Sequence, residues 1–195
     1  MSGDSVNRAQ QANQLASGGA NPTSPLQLFI EKIPAKLACE LNEKWHSRLP
    51  KLHWSNVVRS HKYICYGIFS AVNNSDTLLD YKVIGVAIWS SPVAGNRLKD
   101  GFKMLELRRL ALSEDCPKNT ASRVISVMVR KIKKEFPDII KLISYQDTDV
   151  HAGTIYKASN WKMGATTEYQ AWNTKNRKRN ESQSKSKKIR WEYSL

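Results

Sequence analysis

The sequence predicts an α/β fold, in the broad sense that includes α+β folds, with a mixed central sheet flanked by helices in a single domain. A chain of 195 residues, 41% of them hydrophobic, is long enough to bury one sizeable core. Between Met104 and Trp161 the pattern reads strand, polar loop, amphipathic helix, strand and second helix. A helix that joins neighbouring strands in this way crosses over between parallel partners.

Composition divides the chain into three parts. Residues 1–25 are rich in Ser, Gly, Gln, Asn and Ala and lack apolar periodicity, so we expect a disordered lead-in. Residues 26–172 contain the strand and helix patterns and form the predicted domain. Residues 173–195 are a basic segment, and its last residues, IRWEYSL, have the character of a strand that can pair back onto the sheet.

The domain begins with a strand and a helix. LQLFIEKI at 26–33 alternates well enough for a strand, and Pro34 ends it. In the following stretch, AKLACELNEKW, apolar residues recur at helical spacing, which predicts a helix whose buried stripe contains Leu37, Leu41 and Trp45.

Two apolar strands follow. YICYGIFSAV at 63–72 and VIGVAIWS at 83–90 are separated by polar turn residues, which predicts a hairpin. Their nearly continuous apolar character indicates that both faces of this part of the sheet are covered.

The next strand, MLELRRLAL, contains charged residues. Alternation places Leu105, Leu107 and Arg109 on one face of this strand. A covered arginine requires an anionic partner. That partner is either a protein carboxylate, such as Glu106 or Asp147, or a group of a substrate.

The loop EDCPKNTASR leads into the crossover helix, with Asn119 or Thr120 as the predicted N-cap. Its first-turn NH groups and the Ser122 hydroxyl either cap the helix or hold a phosphate or an oxyanion. The strand IIKLISYQD then ends at Asp147, which is either a cap for the next turn or a functional carboxylate. Because strand ends and helix N-termini share one edge of such a unit, we expect Arg109, Ser122, Asp147 and Tyr156 to meet there.

His46 follows the first predicted helix. Such a histidine either offsets the helix dipole as a C-terminal cation, or belongs to a site where it exchanges a proton or binds a metal ion.

The charge balance points to a polyanionic partner. The chain carries 31 Lys and Arg against 17 Asp and Glu, a net charge of +14. Nucleic acid is the leading partner, ahead of an anionic membrane.

Cysteine usage and hydropathy predict a soluble cytoplasmic protein. Cys39, Cys65 and Cys116 share no short spacing, which argues against a disulfide framework and a CxxC metal site. The sequence begins without an apolar signal region, and it contains no apolar run near the roughly 18 residues of a membrane span.

The stretch GTIYKASNW, after a strand, resembles the LYxKxGF segment of the GNAT acyltransferase superfamily. In that superfamily the tyrosine protonates the departing thiolate of coenzyme A, so the resemblance implies this role for Tyr156. The other interpretation is that Ile155, Tyr156 and Trp161 only pack in the core.

The combination of ELRRLALSEDCPKNTASR, LISYQD and GTIYKASNW resembles the Mom family of phage DNA-modification proteins, a GNAT-like group, with a weaker match at Trp45 and His46. The resemblance implies a phage or prophage enzyme that places an acyl or carbamoylmethyl-type group on the exocyclic N6 amine of adenine in DNA and so protects the DNA from restriction. It also implies the site residues, which are His46, Arg109, Ser122, Asp147 and Tyr156.

The glycine-rich pyrophosphate loop of ordinary acetyltransferases is replaced here by KNTASR. The resemblance places a donor at this loop, against Lys118, Asn119, Thr120, Ser122 and Arg123. The donor is left open between an acyl-CoA, an aminoacyl carrier and another group, and metal dependence is also left open.

A mechanism follows from these roles. Asp147 or His46 would take the proton of the amine, and Tyr156 would protonate the leaving group, while Arg109 and the NH groups near Ser122 stabilise negative charge. A stacked adenine must be extruded to react, and the candidate residues for its aromatic pocket are Trp45, Trp54 and Trp89.

The basic segment predicts contacts with the phosphates of double-stranded DNA. The residues expected to make them are Lys175, Arg177, Lys178, Arg179, Lys185, Lys187 and Lys188. A homodimer is also compatible with the sequence. Two other functions stay open, namely a GNAT-type N-acetyltransferase that uses acetyl-CoA on a small-molecule or protein amine, and a DNA-binding protein without the chemistry.

Overall fold

A computed structural model describes residues 28–46, 49–72, 80–99, 101–167 and 186–195. The strands are β1 Leu28–Lys32, β2 Tyr63–Val72, β3 Asp80–Ser90, β4 Met104–Leu112, β5 Lys141–Asp147, β6 Lys162–Thr167 and β7 Lys188–Ser194. The helices are α1 Ala35–Trp45, α2 Trp54–Val58, α3 Thr120–Glu135 and α4 Thr154–Ala158, with a 3-10 turn at Gly95–Arg97. The predicted lead-in at 1–25 lies outside the described residues.

The seven strands form one mixed sheet in the order β1-β2-β3-β4-β5-β7-β6. β1 to β4 are antiparallel neighbours, whereas β4 and β5 are parallel and are joined by α3. β7 lies between β5 and β6 and is antiparallel to both. The predicted mixed sheet flanked by helices is therefore confirmed, and IRWEYSL pairs within the sheet.

Each face of the sheet carries its own core. One core contains the buried side of α3, together with Leu105, Leu107 and Tyr156. The other contains part of α1, together with Ile88 and Ala111. We call these two sides the α3 face and the α1 face.

The predicted buried stripe of α1 is wrong in part. Leu37 is 43% exposed, and Leu41 and Trp45 are only partly buried. The helix instead buries Ala35, Ala38, Cys39 and Asn42. These residues are small, so α1 can approach the sheet closely, and close packing outweighs the burial of larger side chains at its rim.

The segment after β5 also differs from the prediction. Only Thr154–Ala158 is helical, because Asn160 takes a left-handed conformation with φ of 63° and ends the turn. β6 follows at once and was not predicted, since KMGATT shows no apolar alternation and every residue of this edge strand is exposed.

Gly153 is required for the chain to turn into α4. Its φ is 71°, and a Cβ there would lie 2.7 Å from Cζ2 of Trp191 and would also meet Oε1 of Gln146. That oxygen accepts a hydrogen bond from Nε1 of Trp191 at 2.7 Å. A side chain at this position would therefore separate a buried hydrogen-bonded pair.

We expect Gly153→Ala to lower the free energy of unfolding by about 1–3 kcal/mol from backbone strain, plus the cost of the clash. The matched control is Gly101→Ala, because Gly101 has a φ of 75°, and a Cβ there would lie more than 4 Å from every described residue except Gly101 itself and its chain neighbours. Thermal or urea unfolding of both variants should show the larger loss for Gly153→Ala. Equal losses would contradict a packing role for Gly153.

Candidate functional site

The candidate site lies where β4 and β5 separate. The two strands pair from Met104 with Lys141 to Leu107 with Ser144, although β4 continues to Leu112 and β5 to Asp147. Beyond Leu107 and Ser144 no pairing joins the two strands, and we call the region between their C-terminal ends the cleft. Ligands of open α/β sheets bind at such carboxyl ends.

A β-bulge in β4 sets the direction of its two arginines. Ile88 of β3 lies opposite Arg109 and Trp89 lies opposite Leu107, so Arg108 is the extra residue. The predicted alternation is therefore wrong beyond Leu107: Arg109 lies on the α1 face, away from Leu105 and Leu107. Regular alternation cannot reveal a bulge, because the extra residue shifts every later side chain to the other face.

Both arginines connect β4 to the segment before and within α2. Nη1 of Arg108 donates to the carbonyl of Asn56 at 3.5 Å, and Nη2 of Arg109 donates to the carbonyl of Pro50 at 3.4 Å. Nη1 of Arg109 also donates to the carbonyl of Arg108 at 2.8 Å. The buried Nε of Arg109 has no hydrogen-bond partner among the described residues, and an unpaired buried donor of this kind calls for an explanation.

His46 lies close enough to Arg109 for the two side chains to interact electrostatically. Burial lowers the pKa of His46, and the positive charges of Arg109 and His151 lower it further, against a backbone hydrogen bond that raises it. The imidazole is therefore neutral at neutral pH and has a ring nitrogen that can accept a proton. His151, which follows the turn after β5, belongs to this electrostatic environment.

Glu106 is a buried carboxylate on the same face. It is 9% exposed, and Oε2 accepts a hydrogen bond from the backbone NH of Val93 at 3.3 Å. Burial raises its pKa, while that hydrogen bond and the charges of Arg108, Arg97 and Arg109 partly oppose the shift. A carboxylate with a raised pKa is a suitable proton acceptor near neutral pH.

Sequence reasoning considered Glu106 only as a partner of Arg109. The signal that could have identified it is a carboxylate within an apolar strand that leads into a predicted site. Nearby, Arg97 lies over the ring of Tyr145 on β5, with 5.1 Å between the guanidinium carbon and the ring centroid.

Tyr156 lies on the α3 face, at the point where the strands separate. Its hydroxyl is 2.8 Å from Oγ of Ser144, and its ring stacks on Trp191 at a centroid distance of 5.4 Å. Burial raises the pKa of Tyr156, and the Ser144 hydrogen bond opposes this. The phenol is therefore protonated at neutral pH and able to donate a proton. Ser144 was not predicted, because nothing in the sequence marks a serine within a strand.

Asp147 caps the turn after β5. Its Oδ1 accepts a hydrogen bond from the backbone NH of Asp149 at 3.1 Å, and its carbonyl accepts from the NH of His151 at 3.0 Å. This contact agrees with the first of the two interpretations of Asp147, in which it caps the next turn. A catalytic role for Asp147 stays a prediction.

At the N-terminus of α3, no side chain of the described residues forms a cap. Asn119 occupies the N-cap position with a left-handed φ of 66°. The hydroxyl of Thr120 donates to the carbonyl of Pro117 at 2.7 Å, and that of Ser122 donates to the carbonyl of Asn119 at 3.0 Å. Both hydroxyls act as donors in these contacts, and the exposed Lys118 adds positive charge beside the first-turn NH groups.

The three predicted pocket tryptophans have different exposures. Trp89 is fully buried, and its Nε1 donates to the sulfur of Met128 at 3.3 Å, so the prediction is wrong for this residue. It lies in β3, where both faces are covered. Trp45 is partly buried against the core of the α1 face, and Trp54 is 41% exposed.

Most of the predicted DNA-contacting residues, Lys175, Arg177, Lys178, Arg179 and Lys185, lie outside the described residues. Lys187 is exposed, and its carbonyl accepts a hydrogen bond from the hydroxyl of Thr148 at 2.9 Å. Lys188 begins β7 opposite Asp147.

In the described ranges, no three His, Cys, Asp or Glu residues are grouped closely enough to hold a metal ion. No helix in the same ranges is both long and apolar enough to cross a membrane.

Comparison with known families and proteins identifies relatives of the chain. The model of the Mom protein family matches residues 27–194. The methylcarbamoylase Mom of Escherichia phage Mu is 29% identical over 116 residues, which are 56% of this chain. The match covers 44% of the length of that relative, so this chain aligns with less than half of it.

Solved acetyltransferases share the fold. The IAA acetyltransferase of Bacillus cereus superposes with a TM-score of 0.54 over 87% of this chain and 100% of its own, at 13% identity. A GNAT family acetyltransferase of Elizabethkingia anophelis with acetyl-CoA bound gives 0.55 over 87% and 99%, at 13% identity. Arabidopsis thaliana NAA60 in complex with acetyl-CoA gives 0.60 over 87% and 99%, at 11% identity. The chain therefore has the GNAT fold.

Proposed function

The chain belongs to the Mom protein family, and from this premise we propose that it is a phage- or prophage-encoded transferase that modifies DNA. The acceptor is the exocyclic N6 amine of adenine, and the transferred group is of the acyl or carbamoylmethyl type. The modified DNA is protected from restriction in the cytoplasm of the host cell. The observation that carries this proposal is the cleft between β4 and β5, with a proton donor on one face and proton acceptors on the other.

The acceptor requires a base. The lone pair of the adenine amine is delocalised into the ring, so a proton must leave the nitrogen as the new bond forms. The raised pKa of Glu106 makes its carboxylate a stronger base, and the lowered pKa of His46 keeps its imidazole neutral, so both groups can accept a proton near neutral pH. Asp147, the other predicted base, is held in its turn by Asp149.

The reaction balances with two protein groups. The amine nitrogen forms a bond to the carbon of the transferred group, and the bond from that carbon to the leaving group breaks. The base takes the amine proton, and Tyr156 gives its own proton to the leaving group. Arg109 stabilises negative charge on the donor through its Nε, which no described residue engages.

The N-terminal end of α3 suits a donor that carries phosphate. A helix N-terminus without a side-chain cap among the described residues, beside Lys118, attracts an anion through its NH groups and its dipole. The side chain of Asn119 hinders the close contact between a donor phosphate and the backbone that a glycine at this position would permit. We therefore retain both an acyl-CoA and an aminoacyl carrier as donors. Arg123, in the first turn of the same helix, is the second cation of this binding region.

A restriction assay tests the proposal. Plasmid DNA from cells that express the chain should resist restriction enzymes with adenine in their recognition sites and remain sensitive to enzymes whose sites contain only G and C. Plasmid from cells with an empty vector should be cut by both. Equal cutting of the two plasmids, with soluble protein present, would contradict the proposal.

A second candidate function is N-acetylation of a small-molecule or protein amine with acetyl-CoA. It is favoured by the fold that the chain shares with acetyltransferases solved with acetyl-CoA. If it is correct, acetyl-CoA at saturating concentration should raise the Tm of the purified protein. DNA from expressing cells would then be unmodified.

A further inference from the structure

Trp54 is the one tryptophan of the three pocket candidates that presents its ring to solvent. It is 41% exposed at the first residue of α2, and the neighbouring ring of His53 lies 5.6 Å away between centroids. His53 is itself held by Ser55, with 2.7 Å between Nδ1 and Oγ. The exposed indole is thus placed on an ordered turn, and a rigid aromatic surface loses little entropy when it stacks on a ligand.

Two arginines of the candidate site hold this turn in place. Arg108 binds the carbonyl of Asn56, and Arg109 binds the carbonyl of Pro50. These two contacts bracket Trp54 in the sequence. The segment that contains Trp54 therefore lies against β4 just beyond Leu107, where the pairing of β4 with β5 ends.

The charge of this segment suits a polyanion. Residues 49–62 include Lys51, Arg59 and Lys62 and contain no Asp or Glu. Lys51 pairs with Glu43 and Lys62 pairs with Asp138, whereas Arg59 is exposed at the end of α2. A short segment that exposes both an aromatic ring and a cation suits a surface where a base stacks and the phosphates around it are contacted.

We propose that residues 49–62 are the DNA-facing surface of the site, where Trp54 stacks on an adenine extruded from the duplex and Arg59 contacts the phosphate backbone. This inference rests on the proposed function and adds to it the residue that holds the target base. The occupant is a duplex with one extruded base, and single-stranded RNA is treated as an outcome of the test.

Binding to two labelled duplexes of the same mixed sequence tests the inference. One is fully paired, and in the other a single adenine lies opposite an abasic site, which reduces the cost of extrusion. The wild-type protein should bind the second duplex more tightly. Trp54→Ala should lose this preference and bind the second duplex about five-fold or more weakly, while Trp54→Phe retains most of it.

Arg59→Ala is the matched control variant. It should weaken binding to both duplexes equally and reduce the slope of log affinity against log salt by about one, because it removes one phosphate contact. Trp54→Ala should leave that slope unchanged. Thermal unfolding should confirm that the exposed substitutions leave the fold intact.

Two results of the duplex experiment would overturn the inference while leaving DNA modification established by the restriction assay. One is a Trp54→Ala protein that retains the preference for the unpaired adenine, and the other is a wild-type protein without that preference. Tighter binding to a single-stranded RNA of the same sequence would also overturn it. Failure of the restriction assay itself would instead count against the proposed function.

Discussion

Tyr156→Phe is expected to slow DNA modification by about 100-fold or more, because it removes the group that protonates the leaving group. The tyrosine is buried, with a raised pKa, so its proton is present at neutral pH. Its hydroxyl hydrogen bonds to Ser144, which orients it at the point where β4 and β5 separate. The loss should appear in the rate of the chemical step rather than in DNA affinity.

The stability of this variant should change little. Phenylalanine keeps the ring that stacks on Trp191, and Oγ of Ser144 still lies 3.4 Å from the carbonyl of Leu107 as an alternative acceptor. We expect a loss of about 1 kcal/mol in the free energy of unfolding. The matched control is Tyr193→Phe, since Tyr193 also contacts the core aromatic Trp161 but lies on β7. Equal activity of the two variants would exclude Tyr156 as the proton donor.

Glu106→Gln is expected to lower the activity and to raise the thermal stability at neutral pH. The raised pKa of Glu106 means that its ionisation is less favourable in the folded protein than in the unfolded chain. The folded protein therefore has its full stability at acid pH, where Glu106 is protonated. It loses stability as the pH rises through the pKa that Glu106 has in the folded state. Glutamine carries no charge, so the variant avoids this loss.

The difference in Tm between Glu106→Gln and the wild type should therefore be largest at neutral pH and should disappear at acid pH. Glu192→Gln is the control, and we expect it to change the Tm in the opposite direction. Burial raises the pKa of Glu192, but hydrogen bonds from Lys141 and Arg190 outweigh it, and the net pKa is lowered. Removing that charge should lower the Tm at neutral pH, and its effect should fade as the pH falls.

The pH dependence of the rate gives a second readout of Glu106. As the base, it must be ionised, so activity should fall on acidification at a higher pH than an ordinary glutamate would give. If Glu106→Gln had the same rate and pH profile as the wild type, the base would be His46, the other proton acceptor of the α1 face.

The sequence predicted the sheet because its strands are long, apolar and separated by polar turns. It also predicted the parallel pair β4 and β5 from the strand–helix–strand pattern around α3. It missed β6 and α2, which are short and have little apolar periodicity. Such elements form because neighbouring strands and helices hold them, and this information is not local.

The site was less predictable than the fold. Of the residues implied by resemblance, Arg109 and Tyr156 lie where the pairing of β4 with β5 ends, on opposite faces of the sheet. The bulge at Arg108 and the partners Ser144 and Glu106 depend on contacts between distant parts of the chain. The alternation rule failed at Arg109 for this reason. The exposure of Trp54 likewise follows from packing, whereas the burial of Trp89 agrees with the apolar strand VIGVAIWS that contains it.

Mass spectrometry of nucleosides tests the central claim most directly. DNA should be taken from cells that express the wild-type protein, Tyr156→Phe or Tyr193→Phe at matched soluble levels. We predict a deoxyadenosine with an added mass for the wild type and for Tyr193→Phe, and a strongly reduced amount for Tyr156→Phe. Unmodified deoxyadenosine in all three samples, or equal modification in all three, would contradict a transferase site between β4 and β5 that acts on DNA.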